Sequence, residues 1–376
     1  MPKTVGILGG GQLARMMAIA GLPLGLRFRV ADPSADACAS QVAPLVQASY
    51  LDLDTLARFA ESVDVLTFDF ENVPAETAHF LSAYVPVFPS PKALAMAQDR
   101  LEEKRLFRQL GMDTPDFATV DSRADLDTAI DAVGLPSVLK TRRLGYDGKG
   151  QSRLRTREDA DTAWNDLGGV PLILERFIPF DREVSIIGVR NRTGAFAAYP
   201  LTQNWHRDGV LAASLSPAPL AEGVEGPALT FAKRLAEEVE YVGVFALELF
   251  VHEGRLLANE MAPRVHNSGH WTIEGAHTSQ FENHLRAILG LPLGSTVARG
   301  TSAMLNWVGA LPVWEPLLAE PLSHWHDYGK SAREGRKVGH ATITGPPTGV
   351  VEALRHISAA LNRPEQIDPV LRAMGL

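Results

Sequence analysis

An apolar run, Thr4-Val-Gly-Ile-Leu8, breaks into Gly9-Gly-Gly11, after which Leu13, Met16, Met17 and Ala20 recur at the i, i+3, i+4, i+7 spacing of one helix face. A strand that turns through glycine straight into a helix is the start of a crossover, and crossovers join parallel strands. The following signals keep the alternation. Residues 27–31 read as a second strand, Leu53, Leu56 and Phe59 mark a helix, residues 65–70 a third strand and residues 85–88 a fourth. The pattern predicts a Rossmann-like parallel sheet with helices on both faces over residues 1–97.

The texture changes at Pro91, where a long helix is expected to run to Leu110 and to end on Gly111 as its C-terminal cap, with residues 98–111 as a linker between domains. Residues 112–177 read as a lid-sized subdomain, with strands at 137–141 and 172–175 and a helix near 157–167. Residues 178–300 read as a central domain of mainly antiparallel strands (183–189, 195–200, 210–215, 244–251 and 255–261). Residues 301–376 form a C-terminal part with a strand at 302–308, a basic stretch at 330–337 and a final helix near 350–361. The fold class expected is mixed α/β and α+β. A length of 376 residues suits this division, being roughly two and a half domains of ordinary size.

Charge and cysteine content narrow the function. Lys plus Arg is 36 against 44 for Asp plus Glu, a net charge of −8, which argues against a nucleic-acid coat or a binder of anionic membranes. With Cys38 as its only cysteine the chain can form no internal disulfide, as in a reducing compartment. The opening apolar run is too short for a signal peptide, and the run at 242–251 contains Glu248 and falls far short of the ~20 residues of a membrane helix. A cytoplasmic protein is expected.

Several motifs carry chemistry. Gly9-x-Gly11-x-x-Ala14, with Asp32 ending the next strand, is compatible with a dinucleotide site, and equally with a tight glycine turn; the N–H groups of Gln12 and Leu13 could instead hold another anion. Gly145-Tyr146-Asp147-Gly148-Lys149-Gly150-Gln151 lies between two strands. Its glycines free the backbone to fold over phosphates, and Lys140 on the preceding strand could reach them from below, although a polar hairpin loop has the same composition. Glu248 and Glu260 stand in apolar strands joined by a turn at residues 252–255. Two such carboxylates repel unless a cation lies between them, and oxygen ligands suit Mg2+ or Mn2+ carrying nucleotide phosphates. A two-residue turn would set Glu248 opposite Asn259, and only one extra looped or bulged residue would set it opposite Glu260. His266 and His270 invite a zinc reading, but Pro263, Ser268 and Gly269 break any helix that would align them, so the segment reads as a substrate loop. Lys330, Arg333, Arg336 and Lys337 are a surface run or a site for a phosphate monoester.

Taken together, Gly9-Gly-Gly-Gln-Leu13, Phe70-Glu-Asn-Val-Pro74, the 145–151 loop, Asn259-Glu-Met-Ala-Pro-Arg264, His266-Asn-Ser-Gly-His270 and Gly335-Arg-Lys-Val-Gly-His340 resemble the 5-(carboxyamino)imidazole ribonucleotide synthetases, ATP-grasp enzymes of purine biosynthesis. The resemblance spans nearly the whole chain in order. It departs at Asp69 and Gln203, where Glu is expected, at Val265, where Pro is expected, and at Trp271, where Tyr is expected. It implies an ATP-grasp fold and a reaction of ATP, bicarbonate and aminoimidazole ribonucleotide, with Mg2+ on Glu248 and Glu260, in a homodimer. It further implies ATP contacts at Arg100, Lys140, the 145–151 loop, Glu175, Arg176, Phe177, Ile178, Glu183, His206, Asn259 and Glu260. Ribonucleotide contacts are implied at Gln12, Leu13, Glu71, Asn267, Lys330, Arg336 and Lys337, and catalytic roles for Arg264, His266 and Lys149.

Overall fold

The computed structural model describes residues 2–145, 149–220 and 223–376. Three sheets order the chain. The first holds four parallel strands in the order Leu45–Gln47, Arg27–Asp32, Thr4–Leu8, Val65–Phe68, with the Gln12–Gly21 helix rising from the glycine turn as expected. Leu45–Gln47 is an additional strand. Residues 85–88 do not form a fourth: only a single parallel bridge joins Leu66 to Val87, because Pro86 and Pro89 carry no N–H to extend the ladder.

The expected long helix is two helices, Pro91–Ala97 and Arg100–Gln109. Asp99 breaks it. Its backbone is extended, its carboxylate caps Leu101 N at 3.0 Å, and the same carboxylate pairs with Arg142 at 2.7 Å. Gln98 fixes the junction by donating to the carbonyls of Glu71 and Val73 at 2.7 Å each. Gly111, with φ +76°, ends the second helix in the left-handed conformation that glycine adopts without strain.

A second sheet, antiparallel, runs Phe117–Val120, Leu172–Arg176, Ser137–Thr141, Gln151–Leu154, with the Arg123–Val133 and Asp159–Leu167 helices packed on it. The third is nine-stranded. Its main path runs Arg255–Ala262, Gly243–His252, Arg182–Arg190, Thr202–Arg207, Val210–Ser216, Thr301–Gly309, Arg333–Gly345, Ser323–Asp327, all antiparallel, and Phe196–Ala198 pairs with Arg182–Arg190. The C-terminal strands thus extend the central sheet. Beyond the strands expected from the sequence, Thr202–Arg207 and the Glu225–Glu238 helix are present, and the final helix, Pro347–Leu361, is followed by another, Pro364–Ala373.

The first sheet docks on the third through the Gln280–Ile288 helix. Met17 and Phe28 share one apolar core with Leu285, Ile288 and Val244. Inside it, buried His284 joins the two bodies, with one ring nitrogen 2.7 Å from Thr67 Oγ1 and the other accepting Val244 N–H at 3.0 Å. The three sheets therefore face a common cleft. No helix among the described residues is long and apolar enough to cross a membrane.

Candidate active site

The cleft has a volume of about 1500 Å³. Every described residue that the resemblance implies as a contact or catalytic group lines it except Gly150, and Tyr146, Asp147 and Gly148 lie outside the described residues. The 145–151 segment connects Ser137–Thr141 to Gln151–Leu154, with Lys140 paired to Gln151 at the strand ends.

The floor is the hairpin of Gly243–His252 and Arg255–Ala262. Its two-residue turn has Glu253 and Gly254 both at positive φ, 51° and 76°, the geometry that matches the twist of the flanking strands. From this turn the ladder counts down to Leu249 opposite Ala258, then slips by one residue, so that Asn259 bulges and Glu248 stands directly opposite Glu260. The bulge decides the register left open by the sequence. It also leaves Asn259 Oδ1 buried with no partner, beside two carboxylates. Two carboxylates facing each other across the ladder, with the Asn259 amide oxygen on the residue next to one of them, fit Mg2+ or Mn2+, with further ligands to come from phosphate oxygens; among the described residues no three His, Cys, Asp or Glu side chains form a self-sufficient metal cluster.

The two glutamates are held differently. Burial raises the pKa of Glu248 above the usual carboxylate range, and the adjacent Glu260 charge adds to the rise. At Glu260 burial works in the same direction, but the Arg100 guanidinium, 2.6 Å from Oε2, outweighs it and keeps the carboxyl ionised. Glu175 is likewise driven down, to about 2: its burial is overcome by Lys104 at 3.3 Å, Lys140 at 3.0 Å and the charge of Arg100.

Lys104 and Glu103 were missed in the sequence. Lys104 is fully buried and donates to Asn259 O at 2.8 Å, pinning the bulge, while Glu103 accepts Met261 N at 2.6 Å. A signal for Lys104 existed: it falls between Leu101 and Phe107 on the apolar face of the Arg100–Gln109 helix, where a solvated lysine does not belong.

The rest of the cleft joins distant parts of the chain. Arg264 Nε donates to Glu71 Oε2, and this guanidinium offsets the burial that would otherwise neutralise Glu71. His266 Nε2 lies 3.2 Å from Glu248 Oε1. His206 Nδ1 lies 2.6 Å from Glu183 Oε2, and this contact overcomes desolvation to raise the histidine pKa. Asn267 is buried with both amide atoms unpartnered. At the far end Lys330 Nζ donates to Gln12 Oε1, and Arg336 donates to Ser331 Oγ at 2.8 Å.

The glycine turn favours the non-dinucleotide alternative. Asp32 accepts Gly10 N at 2.7 Å, and Asp69 caps the helix by accepting Gly11 N at 2.9 Å and Ala14 N at 2.7 Å. A Cβ on Gly10 would stand 2.6 Å from Ala37 Cβ, so the glycine is required by packing. Gln203 and Trp271 are buried away from the cleft, bonded to Arg182 and Thr202 respectively. His270 is also remote, against Phe281 and His340, which separates it from His266.

Comparison with known proteins agrees in all three parts of the chain. Residues 1–98 match the ribonucleotide synthetase preATP-grasp domain, residues 105–281 the ATP-grasp domain, and residues 302–353 the phosphoribosylaminoimidazole carboxylase C-terminal domain. An N5-carboxyaminoimidazole ribonucleotide synthase of Pseudomonas aeruginosa is 53% identical, over 90% of this chain and 94% of its own length. The crystal structure of the synthetase of Thermus thermophilus superposes with a TM-score of 0.91 at 53% identity, covering 96% of this chain and 99% of that one. An Aspergillus clavatus enzyme crystallised with ADP and 5-aminoimidazole ribonucleotide superposes at 0.88 with 29% identity, covering 98% and 99%.

Proposed function

The chain belongs to the N5-carboxyaminoimidazole ribonucleotide synthase family of ATP-grasp ligases, and from that premise we propose how its cleft divides the labour of the reaction. The protein is an ATP-dependent ligase that carboxylates 5-aminoimidazole ribonucleotide in purine biosynthesis. In our reading the carbon comes from bicarbonate: one of its oxygens attacks the γ-phosphorus of ATP, ADP leaves, and the exocyclic amine takes the activated carboxyl group with release of phosphate.

One observation supports this division above the others: the cleft has two cationic ends with an acidic pair between them. Arg100, Lys140 and Lys149 line one end beside Glu175 and Arg176 at the close of their strand and Phe177 and Ile178 just after it, and we assign this end to ATP, with Glu183, His206, Asn259 and the loop residues Gly145, Gly150 and Gln151. Gln12, Leu13, Lys330, Arg336 and Lys337 line the other, and we assign it to the 5′-phosphate, with Glu71 and Asn267 toward the sugar or base. Arg264 and His266 lie between, where bicarbonate must meet both substrates. Glu248, Glu260 and Asn259 would hold Mg2+ or Mn2+, which neutralises phosphate charge that otherwise repels an anionic nucleophile. A cytoplasmic homodimer acting on small molecules, without nucleic acid or membrane, completes the proposal.

ADP release from the purified protein tests it. Release should require both aminoimidazole ribonucleotide and bicarbonate, and formate should not substitute. Release that responds to formate, or that ignores the ribonucleotide, would assign the cleft to another ligase reaction.

A further inference from the structure

Beneath the acidic pair, one face of the central sheet carries a run of buried polar side chains on three adjacent strands. Ser214 Oγ donates to Asn204 Oδ1 at 2.8 Å, Asn204 Nδ2 donates to Ser185 Oγ at 3.0 Å, and Ser185 Oγ donates to Ser268 Oγ at 2.7 Å. All four residues are buried, the serines completely. Ser185 is the ladder partner of Glu248. Such a chain is costly inside a sheet unless every member is satisfied, and satisfying each fixes its direction.

The direction ends on a ring nitrogen. Ser268 has accepted one proton, so its own hydroxyl is left to donate to His266 Nδ1, 2.9 Å away. The backbone N–H of Ser268, which can only donate, points at the same nitrogen from 3.3 Å. With two donors aimed at it, Nδ1 is an acceptor, and the neutral ring carries its proton on Nε2, facing Glu248 Oε1 at 3.2 Å.

We propose that Ser214, Asn204, Ser185 and Ser268 are positioning residues that lock His266 as the Nε2–H tautomer, setting a protonated nitrogen beside Glu248 and excluding its cleft-facing nitrogen as the acceptor of the amine proton. The proposal rests on the reading of the cleft given above. It assigns His266 to presenting an N–H to the cleft next to the acidic pair, and leaves proton removal to another group.

The test reads the tautomer directly, in the full-length protein without ligands. 15N-labelled histidine, with the His266 signal identified by its loss in His266→Gln, should show a pyridine-type Nδ1 and a protonated Nε2. A proton on Nδ1 overturns the proposal whatever the variants do. Ser268→Ala should move part of the signal toward the other tautomer and lower kcat about tenfold, with little change in the KM for ATP; Ser185→Ala should do the same more weakly. A fall in kcat with the His266 signal unmoved would show that the serine serves only packing, and would also overturn it. Because the tautomer is read without substrates, a correct signal in a protein that fails to carboxylate would sink the proposed function and not this inference.

Discussion

At the end of the cleft that we assign to ATP, Arg100, Lys104 and Lys140 converge on the carboxylates of Glu175 and Glu260, whereas at the end assigned to the ribonucleotide Lys330 meets the amide oxygen of Gln12 and Arg336 a serine hydroxyl. The first end compensates its own charges before any ligand arrives. The second end bonds these cations to neutral oxygens, and at Lys330 burial outweighs the field of the nearby Asp69 carboxylate to lower the pKa, since a cation there lacks full solvation. Charge compensated in the folded chain contributes to stability, while charge set against neutral groups is available for a phosphate. The first end should therefore respond to mutation in stability as well as turnover, and the second mainly in substrate affinity.

The centre shared by both ends should give the largest effect. Glu248→Gln and Glu260→Gln are each expected to cut kcat by about a thousandfold while circular dichroism stays near wild type, because an amide replaces a charged cation ligand; melting should stay near wild type in Glu248→Gln and fall in Glu260→Gln, where Arg100 loses its ion-pair partner, and near-normal turnover in both would remove the metal assignment. Next comes Lys104→Met, expected to cost about 3 kcal/mol in denaturant unfolding, as removal of one partner from a buried ion pair does. Lys330→Met should cost under about 1 kcal/mol, and equal losses would erase the contrast between the ends. Substrate affinity should split the same way. Arg336→Ala should raise the KM for aminoimidazole ribonucleotide roughly tenfold to a hundredfold with little change for ATP, and Lys140→Ala the reverse, as loss of a charge-assisted contact predicts. A parallel loss for both substrates in either variant would show that the ends are misassigned.

A separate effect, on pH dependence, concerns the joint between the bodies rather than the cleft. Burial holds the pKa of His284 down to about 3 and those of His270 and His340 well below the usual histidine value. The unfolded chain binds these protons first, near pH 6.5, so the stability contributed by the neutral rings is present above that pH and lost as pH falls toward the folded values. Stability should decline by about 1.4 kcal/mol per pH unit for each such ring, a slope that His284→Gln should reduce. An unchanged slope in that variant would show that His284 does not report the joint.

Much of this was legible before the structure because it is written locally. The strand, glycine and helix at the N-terminus, and the paired strands carrying Glu248 and Glu260, are read within about twenty residues of sequence. What stayed hidden depends on partners far along the chain. Nothing near Asp99 announces that Arg142 will draw its carboxylate and break a helix, and nothing near Asp69 says that it will cap the helix that begins at Gln12. The bulge at Asn259 could be posed as a question from the register, but its answer rests on Lys104, more than 150 residues earlier. The four-residue chain behind His266 is invisible for the same reason, since serine and asparagine in strands signal only their polarity.

Strand order in the central sheet also bears on how the chain is born. The Val210–Ser216 strand pairs on one side with Thr202–Arg207, its neighbour in sequence, but on the other with Thr301–Gly309. During synthesis its outer edge must wait for some 85 residues to emerge, a row of open backbone donors and acceptors of the kind that recruits other chains. The same late segment brings Lys330 to Gln12, 318 residues apart along the chain, so the end of the cleft that we assign to the 5′-phosphate stays open until long after the glycine turn has emerged.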